Sequence, residues 1–336
     1  MRVAINGFGR IGRLILRAFL ERNSVGLDVV AINDLQSLDS ALHLLKYDST
    51  HGRFLGEVEK KSDNVFCANK MELAYFSEKC PDRLPWRDMR IDLVLECTGA
   101  FKSREQCIAH LKAGAKYVLV SRPVDDADNT IVYGVNHDSL GCERDLIISN
   151  ASCTTNCLAH VVAAILEYVK IERGFATTVH SYTGDQRLVD MNHTDLRRAR
   201  AAASCMAPTS TGATKAIEKI FPELRGRLSG LSIRVPTQNV SLLDFTFTTA
   251  EKITIEDINA AIVRRSAVVS KEVFSYTKDP LVSVDFNHSS CSAVVDLPLT
   301  KVVDGHMGHV VAWYDNEWGF ARRMLDTTDV LKTCLS

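Results

Sequence analysis

Through the first half of the chain, short apolar runs alternate with stretches whose apolar residues recur at spacings of three and four. The runs cover residues 3–6, 27–33, 91–96, 117–121, 131–135 and 146–149. Runs of that length read as buried strands, and residues 10–22 and 103–113 between them read as amphipathic helices. Alternation of this kind predicts βαβ units in a parallel sheet covered by helices. After about residue 150 the rhythm changes. A helical apolar run over 158–168 is followed by longer β-branched strands at 175–179, 231–235 and 240–249, then a strand at 310–314 and a helix over 317–331. The expected fold class is α/β: a parallel-sheet domain over 1–150, a mixed α+β domain over 151–315, and a final segment, 316–336, that returns to the first domain.

The 336 residues balance 40 Lys and Arg against 41 Asp and Glu, so there is no electrostatic footprint for nucleic acid or an anionic membrane. Neither kind of partner is expected. Ten cysteines, at 67, 80, 97, 107, 142, 153, 157, 205, 291 and 334, fit neither a small disulfide framework nor paired zinc ligands. Most are expected to be small buried hydrophobes, and no metal site is expected. The chain enters a strand directly after Met1 and has no apolar run long enough to span a bilayer, so a reducing cytoplasm is the expected setting.

Gly7-Phe8-Gly9-Arg10-Ile11-Gly12 lies between a strand and a helix, where a Gly-x-Gly-x-x-Gly loop has mechanical meaning. Gly7 permits the tight turn, Gly9 lets the backbone approach a pyrophosphate at the helix N-terminus, and Gly12 lets helix and strand pack closely. Asp34 ends the next strand, 22 residues after Gly12, where a carboxylate can accept from an adenosine ribose. Strand, loop and carboxylate together predict a Rossmann-type dinucleotide site. The same charge repels a 2′-phosphate, which favours NAD over NADP.

Cys153 sits in residues 149–157 (Ser-Asn-Ala-Ser-Cys-Thr-Thr-Asn-Cys), between a buried-type strand and the helical run. A thiol at a helix start gains from the dipole and unpaired amides, which draw its pKa from about 8.5 toward neutrality. Two readings stand open on local sequence: Cys153 as nucleophile, or as filler at a helix start capped by Ser152 or Thr154. His180, at the end of an apolar strand and the start of a polar stretch, is the candidate base.

Residues 149–157, 180–187, 196–203, 234–237 (Arg-Val-Pro-Thr) and 315–319 (Asp-Asn-Glu-Trp-Gly), taken in order, closely resemble glyceraldehyde-3-phosphate dehydrogenases over the whole chain. The resemblance implies Cys153 as nucleophile and His180 as base. It places Arg10, Ile11, Asp34, Ser121 and Asn316 at cofactor contacts, Lys79 near the adenine where an arginine is usual, and Phe320 near the nicotinamide. Thr183, Arg198, Thr211, Gly212 and Arg234, with Ser152 and Thr154, match the family's two phosphate sites. A charge run such as 197–200 is more often a solvated face, whereas an arginine in the apolar setting of Arg234 needs an anion.

What the resemblance implies is oxidation of glyceraldehyde 3-phosphate with NAD and inorganic phosphate, through a cysteine thioester, in a homotetramer whose interface includes 181–205. The related erythrose-4-phosphate dehydrogenases share the nucleophile and base; residues 84–86 and 280–288 have their flavour, but 208–213 keeps the Thr211-Gly212 pair. A nucleotide-binding redox sensor without turnover is the alternative from another class. Met191-Asn192 matches neither pair associated with cofactor preference, and Arg122 and His160 replace usual small or proline residues.

Overall fold

The computed structural model describes residues 1–22 and 26–335. The chain divides into two compact units, Met1–Ala151 with the chain from Ala321 onward, and Ser152–Phe320.

In the first unit the order is β1 (Arg2–Asn6), α1 (Arg10–Arg22), β2 (Asp28–Asn33), α2 (Leu38–Lys46), β3 (Tyr47–Asp48), β4 (Gly52–Arg53), β5 (Val58–Ser62), β6 (Val65–Ala68), β7 (Met71–Phe76), β8 (Leu93–Glu96), α3 (Arg104–Ala113), β9 (Tyr117–Val120), β10 (Asn129–Thr130) and β11 (Ile147–Ser149). Nine strands form one sheet in the order β10-β11-β9-β8-β1-β2-β7-β6-β5, and β3 pairs with β4 apart from it. The run from β10 to β7 is parallel, while β6 pairs antiparallel with both β5 and β7. Val3, Ala4 and Ile5 of β1 and all of β8 and β9 are buried, as expected of strands covered on both faces. Eight consecutive residues of α1, Gly12 to Phe19, are buried. Ser103 caps α3 by accepting from Gln106 N, and left-handed Gly114 ends it.

The apolar run at 131–135 is not a strand. The strand of that region is Asn129–Thr130. Beyond it the Asn136 side chain takes the Val132 amide, and Gly134 turns the backbone at φ +80°, so the run folds into a turn with Val135 N donating to Val132 O. Apolarity alone did not distinguish a strand from a buried turn.

The cysteine expectations also need correction. Cys142 and Cys334 form a disulfide across 192 residues of sequence. Of the eight free cysteines only Cys107, Cys157 and Cys291 are buried; the others are half-buried. The disulfide fastens the end of the last helix, α7 (Trp318–Thr333), to the loop before β11; Arg22 to Asp326 at 2.5 Å and Thr327 Oγ1 donating to Asn150 Oδ1 at 2.8 Å also hold that helix.

The second unit contains α4 (Cys153–Leu166), β12 (Ile171–Ser181), β13 (Ala207–Thr209), α5 (Ala213–Ile220), β14 (Leu228–Val235), β15 (Ser241–Thr249), α6 (Ile255–Val269), β16 (Phe274–Thr277), β17 (Ala293–Asp296), β18 (Lys301–Val303) and β19 (Met307–Tyr314). Its sheet runs β13-β14-β12-β15-β19-β17-β16, mostly antiparallel, with β18 beside β19. Alternate residues of β15, from Ser241 through Leu243, Phe245 and Phe247 to Thr249, are buried. Helix α4 packs on this sheet and is buried through twelve of its residues, Thr154 to Ile165. Burying side chains such as Val161, Val162 and Ile165 stabilises it by roughly 1.5–3 kcal/mol each. His160, at a usual proline position, is a core residue of this helix stacked on Phe274 with ring centres 5.5 Å apart. No helix of the described residues is long and apolar enough to cross a membrane.

Candidate active site

In the first unit, a cavity of about 500 Å³ opens at the C-terminal ends of β1, β2 and β8, lined among others by Asn6, Gly7, Gly9, Asp34 and Thr98. The β1 to α1 turn requires its glycines. Gly7 has φ +91°, and a Cβ on Gly12 would meet the Gly7 carbonyl oxygen at 2.1 Å. A Cβ on Gly9 would meet nothing within 4 Å, so its backbone is open to a bulky anion at the start of α1. Asp34 braces this loop: Oδ2 accepts from Phe8 N at 2.5 Å and Oδ1 from Gln36 N at 2.9 Å. Behind the cavity, Glu96 accepts from Asn6 Nδ2 at 2.5 Å, His110 Nε2 at 3.1 Å and Thr98 N at 2.8 Å. Trp86 Nε1 donates to His110 Nδ1 at 3.1 Å, which leaves the His110 proton on Nε2, toward Glu96.

Of the expected cofactor residues, Gly7, Gly9, Asp34 and Lys79 line this cavity, and Ile11 and Gly12 belong to the first turns of α1. Arg10 is paired with Asp48 at 2.6 Å. Ser121 follows β9 and hydrogen-bonds the Cys97 thiol. Arg122 donates from Nη1 to Gly99 O at 2.6 Å, joining two loops at this end of the sheet. Asn316 and Phe320 belong to the second unit. The Asn316 carboxamide oxygen accepts from Ser181 Oγ at 2.6 Å and Ser241 Oγ at 2.8 Å, which orients its amino group the other way, and Phe320 is buried in α7.

Ala151 takes a left-handed conformation, φ +57°, just before α4, strained for a residue with a Cβ. Ser152 caps the helix by accepting from Thr155 N at 3.0 Å, so Cys153 occupies the first helical position. Cys153 Sγ lies 3.5 Å from His180 Nε2. The amides of Cys153 and Thr154 and the Thr154 hydroxyl point at Sγ. The expectation of a thiol drawn toward neutrality is not met: burial pushes the Cys153 pKa up, and Arg234, the two amides and the hydroxyl only oppose it. His180 is buried at the end of β12, and burial with the Arg234 charge lowers its pKa to about 3. Its Nδ1 lies 2.7 Å from Ser181 O and 2.9 Å from Arg234 Nη1, and its Nε2 faces Cys153. Burial thus disfavours the charged form of each group taken singly.

Arg234, on β14 beside β12, donates from Nη1 to Ser181 O at 3.0 Å. Its Nε is buried with no hydrogen-bond partner among the described residues. Arg198 lies in a turn of the long loop after β12 and donates from Nε to Thr209 Oγ1 at 3.0 Å. Thr211 Oγ1 accepts from Ala213 N at 3.2 Å, leaving its O–H to donate, and Gly212 is the exposed N-cap of α5. Thr183 is half-buried in the turn that leaves β12. Thr154 is held by Tyr314, whose hydroxyl lies 2.9 Å from Thr154 Oγ1 and 2.7 Å from Thr178 Oγ1. The structure thus brings Cys153, His180, Thr154 and Arg234 together, with Arg198 close enough to act on the His180 charge.

Residues 1–104 match the family model described as glyceraldehyde 3-phosphate dehydrogenase, NAD binding domain, and residues 152–316 match the one described as its C-terminal domain. The chain belongs to the glyceraldehyde-3-phosphate dehydrogenase family. It is 51% identical over 327 residues to a glyceraldehyde-3-phosphate dehydrogenase of Cereibacter sphaeroides and 50% identical over 327 residues to one of Xanthobacter flavus, in both cases over 97% of each chain. Against one of Geobacillus stearothermophilus it is 47% identical over 326 residues, 97% of this chain and 96% of the other. The family's NAD-binding half is the unit that carries the cavity.

Sequence reasoning missed Asn6, Asn33, Leu35, Glu78, Pro81, Cys97, Thr98, Ala100 and Phe101 among the cavity residues, and Tyr314 beside Thr154. They are scattered along the chain without any spacing that announces them. The only available signal for Leu35 and Phe101 was an apolar residue just past a strand end.

Proposed function

We propose that this chain oxidises glyceraldehyde 3-phosphate with NAD and inorganic phosphate to the acyl phosphate, with Cys153 as nucleophile and His180 as base. The observation that carries the reading is the 3.5 Å approach of Cys153 Sγ to Nε2 of His180, at a helix start and beside Arg234, whose Nε is buried without a hydrogen-bond partner.

The cavity residues suit NAD: an open Gly9 backbone for the pyrophosphate and Asp34 for the ribose, with the carboxylate opposing a 2′-phosphate. When bound, NAD accepts the hydride lost by the substrate's carbonyl carbon. Cys153 gives its proton toward His180 and its sulfur adds to the aldehyde carbon, making a hemithioacetal; the amides of Cys153 and Thr154 are donors for the oxygen that gains charge. His180 returns that proton to the new alkoxide oxygen, and takes it back as the hydride leaves for NAD and the thioester forms. Phosphate then attacks the thioester carbon and Cys153 leaves as thiolate. Two anions need holding, one fixed to the substrate and one free, and Arg234, Thr183, Ser152, Thr154, Arg198, Thr211 and Gly212 are assigned to them. Residues 181–205 expose Leu188, Val189, Met191 and Leu196, and we assign this apolar surface to the contacts of a homotetramer.

The test follows absorbance of reduced nicotinamide with glyceraldehyde 3-phosphate, NAD and phosphate. Sustained, phosphate-dependent turnover is expected. Faster phosphate-independent turnover of erythrose 4-phosphate, or cofactor binding with no turnover of either aldehyde, overturns the reading.

A further inference from the structure

Arg198 is held by two carboxylates, and they are not equivalent. At one edge its Nε donates to Thr209 Oγ1 at 3.0 Å and lies 3.5 Å from Asp195 Oδ2, while Thr209 donates its hydroxyl to the same Oδ2 at 2.8 Å. At the other corner Nη1 donates to Asp185 Oδ2 at 2.5 Å.

Asp195 is built into the turn that carries Arg198. Its Oδ1 accepts from Arg197 N at 3.0 Å, its carbonyl from Arg198 N at 3.0 Å, and its own amide donates to His193 Nδ1 at 2.8 Å. Its carboxylate and the arginine sit on one turn, backed by Thr209 on β13. Asp185 comes from a different turn, just after β12, and its side chain is 54% exposed. It has a second partner within reach, because His193 Nε2 lies 3.6 Å from Oδ1. His193 Nδ1 accepts the Asp195 amide, so in the neutral ring the proton is on Nε2 and faces Asp185.

An anion approaching the Nη1–Nη2 end of the guanidinium competes with Asp185 for Nη1, and it also meets the Asp185 charge. The Nε edge is already committed to Thr209 and Asp195. We propose that Asp185 is a displaceable counter-ion of Arg198 that sets the affinity for inorganic phosphate: it closes the site when no anion is present and yields to phosphate by turning to His193 and water. Asp195 and Thr209 are positioning residues that hold the guanidinium while this exchange occurs. The proposal rests on the reading of Arg198 as a phosphate-binding residue. Arg198 in turn holds the Asp185 carboxyl below its ordinary range, so each is a partner the other gives up on exchange.

The test measures the KM for inorganic phosphate at saturating aldehyde and NAD, at two ionic strengths. In Asp185→Asn it should fall about two- to fivefold, as removal of one exposed competing charge allows, with the KM for NAD unchanged. Asp185→Ser should do the same, and Asp185→Glu, which keeps the charge, should restore the wild-type value. Asp195→Asn should move the other way and raise it. In the double variant Asp185→Asn with Arg198→Gln the Asp185 effect should vanish, because the two residues act on one nitrogen. A folded Asp185→Asn or Asp185→Ser protein whose phosphate KM equals or exceeds the wild-type value overturns the proposal. If Arg198→Gln alone leaves the phosphate KM unchanged, the assignment of Arg198 falls, a failure visible without any Asp185 variant.

Discussion

Arg234 Nη1 lies 2.9 Å from His180 Nδ1, and both nitrogens converge on the Ser181 carbonyl. Burial, and then a permanent cation against the ring, make protonation of His180 unfavourable, and its pKa falls to about 3. An anion bound at Arg234 offsets that charge. The base is thus expected to strengthen when a phosphate group arrives, which links proton uptake to occupancy of the anion site.

Replacing Arg234 with Gln removes the charge and keeps much of the volume, so the His180 pKa should move upward in the anion-free protein. Histidine NMR titration reads this directly, with His180→Asn identifying the resonance. The aldehyde KM should rise at the same time, because the guanidinium is also one of the proposed anion ligands. An unmoved His180 resonance would show that burial alone sets its basicity.

Stability should carry the same signature. The folded pKa of His180 lies below its unfolded value near 6.5, so as pH falls the unfolded chain binds a proton that the folded chain refuses. From this group, stability is unaffected above about pH 6.5 and declines by up to about 1.4 kcal/mol per pH unit between about 6.5 and 3. Carboxylates with lowered pKa, such as Asp48 and Asp128, add to the acid loss. Subtracting the profile of His180→Asn isolates the histidine. Parallel urea midpoints for the two proteins from pH 4 to 8 would contradict the assigned protonation state.

Cys153→Ser should abolish turnover and leave NAD binding nearly intact, since a hydroxyl at the first position of α4 is a far weaker nucleophile at neutral pH. Cys157, one turn further in, is fully buried and its thiol is pushed well up, so Cys157→Ser should lose stability through packing and polar burial while keeping its active site. Active-site titration with a thiol reagent, together with melting curves, separates the two. Equal loss of turnover in both folded variants would sink the distinction.

What the sequence revealed followed the range of the interactions involved. The β1 to α1 glycine loop, Asp34 and the helix start at Cys153 are each specified within a few residues, and the 3.6-residue period marked α1 at Arg10–Arg22. The antiparallel extension β5 to β7 left no such mark. Val58–Ser62 reads Val-Glu-Lys-Lys-Ser with four exposed residues, an edge strand whose polarity hides it. The acidity of Cys153 was misjudged for a related reason: a helix N-terminus is visible locally, but burial of the thiol arises from chain elements distant in sequence. The Cys142–Cys334 disulfide and the cavity residue Phe101 likewise depend on tertiary packing.

Asp34 serves two purposes, which makes its variants informative. Asp34→Ala removes the ribose acceptor and also the oxygens that hold Phe8 N and Gln36 N, so NAD affinity should fall and the Gly7 to Gly12 loop should loosen. Asp34→Asn keeps one acceptor oxygen and loses the charge. It should therefore hold the loop better while NADP gains relative to NAD. Binding measured by fluorescence titration with both cofactors decides. An unchanged preference in both variants would transfer selectivity to other residues, Met191-Asn192 first among them.

Thr211 bears on which acyl acceptor the site takes. Its Oγ1 already accepts the Ala213 amide, so its hydroxyl hydrogen points away from α5, beside the Gly212 N-cap, where a helix N-terminus attracts an anion. If that hydrogen and Arg198 hold the attacking phosphate, wild-type protein mixed with aldehyde and NAD but without phosphate should release one burst of reduced cofactor per site and then slow. Thr211→Ala should keep the burst amplitude and rate, because hydride transfer precedes the attack. Its phosphate KM should rise by about ten- to a hundredfold, since a lost hydrogen bond to an anion is worth roughly 1.5–3 kcal/mol. Thr211→Ser, which retains the hydroxyl, should recover most of the loss. Stopped-flow absorbance over a phosphate series reads burst and steady state in one experiment. A burst lost together with the steady rate would place Thr211 in aldehyde binding rather than in acyl transfer.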